Sequence, residues 1–327
     1  MQPLNCLRHV DVLFCLFLGL SFACQKQTSS STQHGTKSED LAEASQPQEI
    51  LYEGSSSDSI DASMGESCAA LPGFNIVGGQ PASPGDLTTL STVQVYPAGC
   101  TGTLIGPRHV VTAAHCVKNL KNAPHIQAAV RFGINKENPD LSIEIAKLIP
   151  HPYYGRSADS NAQLYDVALI LLAADVPLPF KPVPVGVPSE LSLGRDIVLA
   201  GYGRYSENDT QSRPLTWVKT QIEELIDPWA EIQLTTGTKK AGCYGDSGGP
   251  TYVVHPKTSC LRVVGVTHGP PRKGDGTCDT GGETVMNLTH YRGWIDCSYT
   301  SLGKPLRGLE NDGSEEACSS NAVLNFW

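Results

Sequence analysis

The chain has 327 residues, 40% of them apolar, which is enough to bury a sizeable core, and its formal charge of −9 without a run of basic residues argues against a nucleic-acid partner. With 32 Gly, 23 Pro and only 3 Met, the composition favours a turn-rich β protein over a helical bundle. Eleven Cys with no closely spaced Cys/His metal motif exclude an ordinary reduced cytosolic protein and place the chain in an oxidising compartment.

Arg8 and His9 precede a short apolar run, VLFCLFLGLSF, that ends at Ala23-Cys24. A membrane span needs about 20 apolar residues, so this run predicts an export signal over 1–24. Two processing readings stay open. Ser21-Phe22-Ala23 fits the small-x-small rule of an ordinary signal peptidase, which would give a released protein. The Ala-Cys junction also resembles a bacterial lipoprotein box, and Cys24 would then carry a lipid, the only membrane attachment implied. Residues 25–75 are largely Ser, Gln, Glu and Thr, too polar to offset chain entropy by burial, and predict a disordered tether or propeptide.

From about residue 76 short apolar runs alternate with turn residues: TTLSTVQVY, TGTLI, HVVTAA, AAVRF, SIEIAKLI, DVALILLA, DIVLAGYG, TWVKTQIEEL, TYVV, LRVVGV and ETVMNL. Such spacing predicts an all-β barrel or sandwich. One helix is expected, over His290 to Cys297, and residues 298–327 read as a mostly polar C-terminal extension.

Three motifs carry the chemistry. Gly245-Asp246-Ser247-Gly248-Gly249-Pro250, Thr112-Ala113-Ala114-His115-Cys116 and Tyr165-Asp166-Val167-Ala168-Leu169-Ile170 each resemble a motif of the trypsin and chymotrypsin family of serine endopeptidases. Singly, each has a bland explanation: a disulfide neighbour, a turn Asp, a Gly-rich loop. The order His, Asp, Ser is that family's own. The resemblance covers residues 76–297 and implies two six-stranded antiparallel β-barrels with a short C-terminal helix and a cleft between them. A serine hydroxyl is a weak nucleophile without an adjacent base. By resemblance His115 takes the Ser247 proton, Asp166 orients His115 and stabilises its imidazolium, and the N–H groups of Gly245 and Ser247 bind the oxyanion. The implied reaction is peptide-bond hydrolysis through an acyl-enzyme at Ser247, on protein or peptide substrates, by a monomer with no metal or organic cofactor. The alternative is a non-catalytic binding protein that keeps the fold.

Ile76-Val77-Gly78-Gly79 resembles the family's mature N-terminus, whose freed ammonium pairs with the Asp before the nucleophile, here Asp246. Phe74-Asn75 stands where the family usually has Arg or Lys, so a trypsin-like self-cut is not implied. The resemblance pairs Cys100 with Cys116 and Cys243 with Cys278. Cys68, Cys260, Cys297 and Cys318 allow three connectivities. Ile197 occupies a position where the family often has Cys. In the specificity pocket, Ala241 replaces the Asp of trypsins, which implies a small or apolar pocket, while Glu283 falls at a wall position that is normally Gly. Gly269 ends the strand that would pair with substrate backbone, and His268 there replaces a Trp as an expected solvent-exposed aromatic. Asn208-Asp209-Thr210 and Asn287-Leu288-Thr289 fit the glycosylation acceptor pattern.

Overall fold

A computed structural model of the protein describes residues 80–121, 127–155, 165–206, 208–210, 213–227, 231–234, 242–256, 258–269 and 283–306. Cys24, Ile76, Ala241, Cys278, Cys68 and Cys318, and with them the leader and tether, lie outside those residues.

The first barrel is built from β2 (Thr92–Tyr96), β3 (Cys100–Gly106), β4 (His109–Thr112), β5 (Ala129–Phe132), β6 (Leu141–Pro150) and β7 (Ala168–Leu172), closed in the order β2-β3-β4-β7-β6-β5 with all pairs antiparallel. Closure leaves no free edge. β7 is buried along its whole length, because its second face is also covered. Ala168 packs there on Ala114 and Val117 of α2 (Ala114–Lys121), where small side chains allow close approach.

The second barrel uses β8 (Asp196–Gly201), β9 (Thr216–Asp227), β10 (Glu231–Leu234), β11 (Pro250–Val254), β12 (Leu261–Gly269) and β13 (Thr284–Asn287). They run in the order β9-β10-β13-β12-β11-β8, and β8 pairs back onto β9 to complete the ring. The short β1 (Gln80–Pro81) adds to β9. Ile197, Leu199, Ile222, Ile232, Val253, Val264 and Val285 fill its interior. Ile197, at the position where a Cys is common, is thus an ordinary core side chain.

Hydrogen bonds join the barrels. The Tyr252 hydroxyl lies 2.9 Å from Ser91 Oγ and 3.0 Å from Thr92 Oγ1, and the Tyr202 hydroxyl donates to the Gly133 carbonyl at 2.7 Å. α3 (Arg292–Ser301) belongs to the second half of the chain, yet the buried Tyr299 hydroxyl donates to Val110 O and Ile170 O on β4 and β7.

Several local expectations shift. TTLS, which reads as strand, forms most of α1 (Leu87–Ser91), with Ser91 Oγ donating to Leu87 O. The strand that reads through Ala114 stops at Thr112 and gives way to α2. β10 has no counterpart among the expected strands. The helix expected over 290–297 runs instead from Arg292 to Ser301, because Ser298 and Tyr299 face the core. Asn287 is only 1% exposed and its Oδ1 accepts from Thr289, so the fold shields that glycosylation acceptor, whereas Asn208 is exposed.

Candidate active site

His115 is the second residue of α2, immediately after β4. First-turn N–H groups of a helix have no intrahelical acceptor. The His115 N–H finds one in Asp166 Oδ1 at 2.8 Å, and its Nδ1 lies 2.7 Å from Asp166 Oδ2. One carboxylate therefore fixes both the backbone and the ring of His115, and its charge suits the positive end of the helix.

Asp166 is reached through Tyr165, a non-glycine residue at φ 63°. Such a residue costs about 1–3 kcal/mol. It is held by an aromatic cluster: the Tyr165 ring stacks on His151 at 4.9 Å, and His151 also meets Trp294 at 4.8 Å and Tyr291 at 5.4 Å. Aromatic pairs contribute roughly 0.5–1.5 kcal/mol each, enough to offset the strained turn. Burial, with the nearby His290, drives His151 down to about 3 and keeps it neutral.

The Asp166 side chain is fully buried. Burial by itself pushes the carboxyl up, but hydrogen bonds from His115 and His268 outweigh it and bring the group down to about 2. His268 corrects an expectation. It is not a solvent-exposed aromatic: its side chain is 14% exposed and its Nδ1 lies 2.7 Å from the same Asp166 Oδ2. The pairing of β12 with β13 shifts register between Thr267 and Gly269. A shift of one residue reverses which face a side chain takes, and a count along the sequence does not reveal it.

The Ser247 loop is docked against the first barrel by its backbone. Thr101 N–H donates to Ser247 O at 2.9 Å and Thr101 Oγ1 donates to Gly245 O at 2.8 Å. Gly248, at φ +82°, sits where a Cβ would strike Thr112 Oγ1, Thr101 O and the Ala113 nitrogen, so no side chain fits. This contact brings the loop alongside the start of α2. Among the described residues, the N–H groups of Gly245 and Ser247 have no backbone acceptor. No hydrogen bond among the described residues links Ser247 Oγ to His115 Nε2; contacts of this kind often tighten only with substrate bound.

Asp246 is held by two backbone amides. Its Oδ1 accepts from Gly203 N–H and its Oδ2 from Cys243 N–H, both at 2.8 Å. A Cβ on Gly203 would collide with this carboxylate. Withdrawal from water pushes Asp246 up to about 6, with the two amides and Lys136 countering only in part. Glu283 is 3% exposed, and its Oε2 accepts from Gly242 N–H at 3.0 Å. It therefore faces inward, beside the segment preceding Cys243, and Gly269 pairs with the neighbouring Thr284. Burial and the Asp246 charge push Glu283 up to about 8, against hydrogen bonds from Gly242 and Thr267.

Cys100 and Cys116 are disulfide-bonded, as the resemblance implies, bracing the start of α2. Cys243, Cys260 and Cys297 are also disulfide-bonded. Two groups bring ligand-capable atoms within 4.8 Å of one another: Cys100, His115 and Cys116, and His115, Asp166 and His268. The sulfurs of the first are committed to the disulfide and the atoms of the second to hydrogen bonds. Sequence reasoning missed His268 as an Asp166 partner, Thr101 as the clamp on the Ser247 loop, and Tyr165 as a strained support. A Thr inside a TGTLI strand gives no local sign of such a role.

The model of the Trypsin family matches residues 76–295. Melanization protease 1 of Drosophila melanogaster is 30% identical over 230 residues, which cover 57% of this chain and 56% of that protein's length. Human Kallikrein-8 is 28% identical over 213 residues, covering 60% of this chain and 75% of its own. Among solved structures, human heparin binding protein matches with a TM-score of 0.54 at 22% identity, covering 68% of this chain and 95% of that one, a likeness of fold alone.

Proposed function

The chain belongs to the trypsin family of serine proteases, and on that premise we propose that it is an exported serine endopeptidase that uses Ser247 as nucleophile, His115 as base and Asp166 as the group orienting that base. The observation that carries this reading is the His115–Asp166 bond of 2.7 Å in a barrel onto which Thr101 docks the Ser247 loop. Ser247 gives its proton to His115 as it attacks the scissile carbonyl. The two amides take the developing oxyanion, and His115 then protonates the leaving amine. Water repeats the sequence on the acyl-enzyme.

The proposed organisation is a leader over 1–24, a tether over 25–75, a catalytic region over 76–297 and an extension over 298–327. Among the described residues no helix is long and apolar enough to cross a membrane. Activation follows a cut before Ile76, whose ammonium pairs with Asp246; an acid pushed up to about 6 is short of a cation. Glu283, pushed up to about 8, carries its proton at neutral pH. With Ala241 in place of an Asp, the pocket floor is then uncharged and favours apolar side chains. Glu283→Gly changes the ratio of cleavage after Leu to cleavage after Lys in a peptide library if this placement is right.

The deciding experiment uses the chain cut before Ile76. A serine-directed phosphonate labels it, and Ser247→Ala loses the label together with about 10⁶-fold in hydrolysis of a protein substrate panel. Absent labelling, with hydrolysis unchanged in Ser247→Ala, overturns the proposal.

A further inference from the structure

His268 stands on the same carboxylate oxygen as the base. Asp166 Oδ2 is 2.7 Å from His115 Nδ1 and 2.7 Å from His268 Nδ1, while Oδ1 is occupied by the His115 N–H. An ionised carboxylate only accepts. Both imidazoles must therefore present Nδ1–H to Oδ2, which leaves each Nε2 as the nitrogen that takes up a further proton. One negative charge is shared between two rings, each able to become an imidazolium.

We propose that His268 is a positioning residue for Asp166, holding the carboxylate for His115 while sharing it, so that His115 works as a base only when His268 is neutral. The proposal rests on the reading of His115 and Ser247 given above. When His268 gains a proton, Asp166 is already neutralised by a neighbouring imidazolium. The second imidazolium that His115 must become during attack then lacks its counter-charge. The other titratable groups around the pair do not supply one. Tyr154 is pushed up to about 12 by burial and by the Asp166 charge, so it stays neutral. Glu283, across the hydrogen bond to Thr267, carries a proton at neutral pH. Asp166 itself stays ionised down to about 2.

The test compares the full chain, cut before Ile76, with His268→Asn, which keeps a donor near the Nδ1 position but cannot titrate, and with His268→Leu, which has no donor. Low-field proton NMR of the wild type is expected to show two resonances for the two short bonds to Asp166, and each variant one. His268→Asn is expected to recover most of the kcat that His268→Leu loses and to carry the acid limb of kcat/KM to lower pH, because one of two inactivating protonation sites is gone. His268→Leu is expected to lose about tenfold in kcat with KM little changed, as for one lost charge-assisted hydrogen bond. A single low-field resonance in the wild type, or an acid limb that stays in place in both variants, overturns the proposal. If no form hydrolyses peptides, the endopeptidase reading fails, and the resonance count still decides whether His268 shares Asp166.

Discussion

In the first barrel the buried Asp166 takes hydrogen bonds from His115 and His268 and is held down to about 2, whereas in the second barrel Asp246 and Glu283 are pushed up to about 6 and about 8. All three carboxyls are withdrawn from water, so burial alone does not explain the difference. Asp166 has two side-chain donors aimed at one oxygen and a backbone amide on the other. Asp246 has two amides, and Glu283 lies close enough to Asp246 to feel its charge. The first barrel holds a finished anion, and the second holds two acids whose donors do not make up for burial.

The largest effect expected from this contrast is on Asp166. Asp166→Asn preserves the shape but lets the wrong His115 tautomer form, and kcat on a peptide substrate is expected to fall about 10⁴-fold. A fall under tenfold means the first barrel's anion is not part of the chemistry. Next is Asp246→Asn in the chain cut before Ile76, where loss of the ammonium partner loosens the Gly245 and Ser247 amides and lowers kcat by about 10²–10³-fold. Full activity in that variant removes the distinction between a finished and an unfinished acid.

The smallest effect is on stability. Glu283 binds its proton more tightly folded than unfolded, so its contribution weakens the fold as pH rises from 4.5 to about 8. Asp166 acts with the opposite sign: its stabilisation is present above 3.8 and is lost as pH falls toward about 2. Glu283→Gln is therefore expected to reduce the loss of Tm between pH 6 and pH 9, recovering at most a few kcal/mol at the alkaline end, since a tenfold change in proton affinity on folding is worth about 1.4 kcal/mol. Parallel Tm curves for wild type and variant in that range contradict the assignment.

The motif residues were legible because their chemistry demands them: a Gly where a Cβ would strike Thr112, an Asp beside the first turn of α2, a serine between glycines. What the sequence hid depends on partners distant along the chain. TTLS is rich in Thr and reads as strand, yet α1 forms because Ser91 and Thr92 meet Tyr252 across the barrel interface. His268 reads as a solvent-exposed aromatic in place of a Trp, and the register slip beside it depends on β13, a partner distant along the chain. Glu283 is legible as a residue near Cys243, but the rise of its pKa follows first from burial and then from the Asp246 charge, and both depend on chain segments that meet only in the folded protein.

Tyr299 gives the C-terminal helix a wider meaning. Its hydroxyl grips carbonyls of β4 and β7, the strands that lead into His115 and out of Asp166, although the helix is continuous with the chain that built the second barrel. The two halves are thus cross-braced: a phenol on α3 helps hold the strands that present His115 and Asp166.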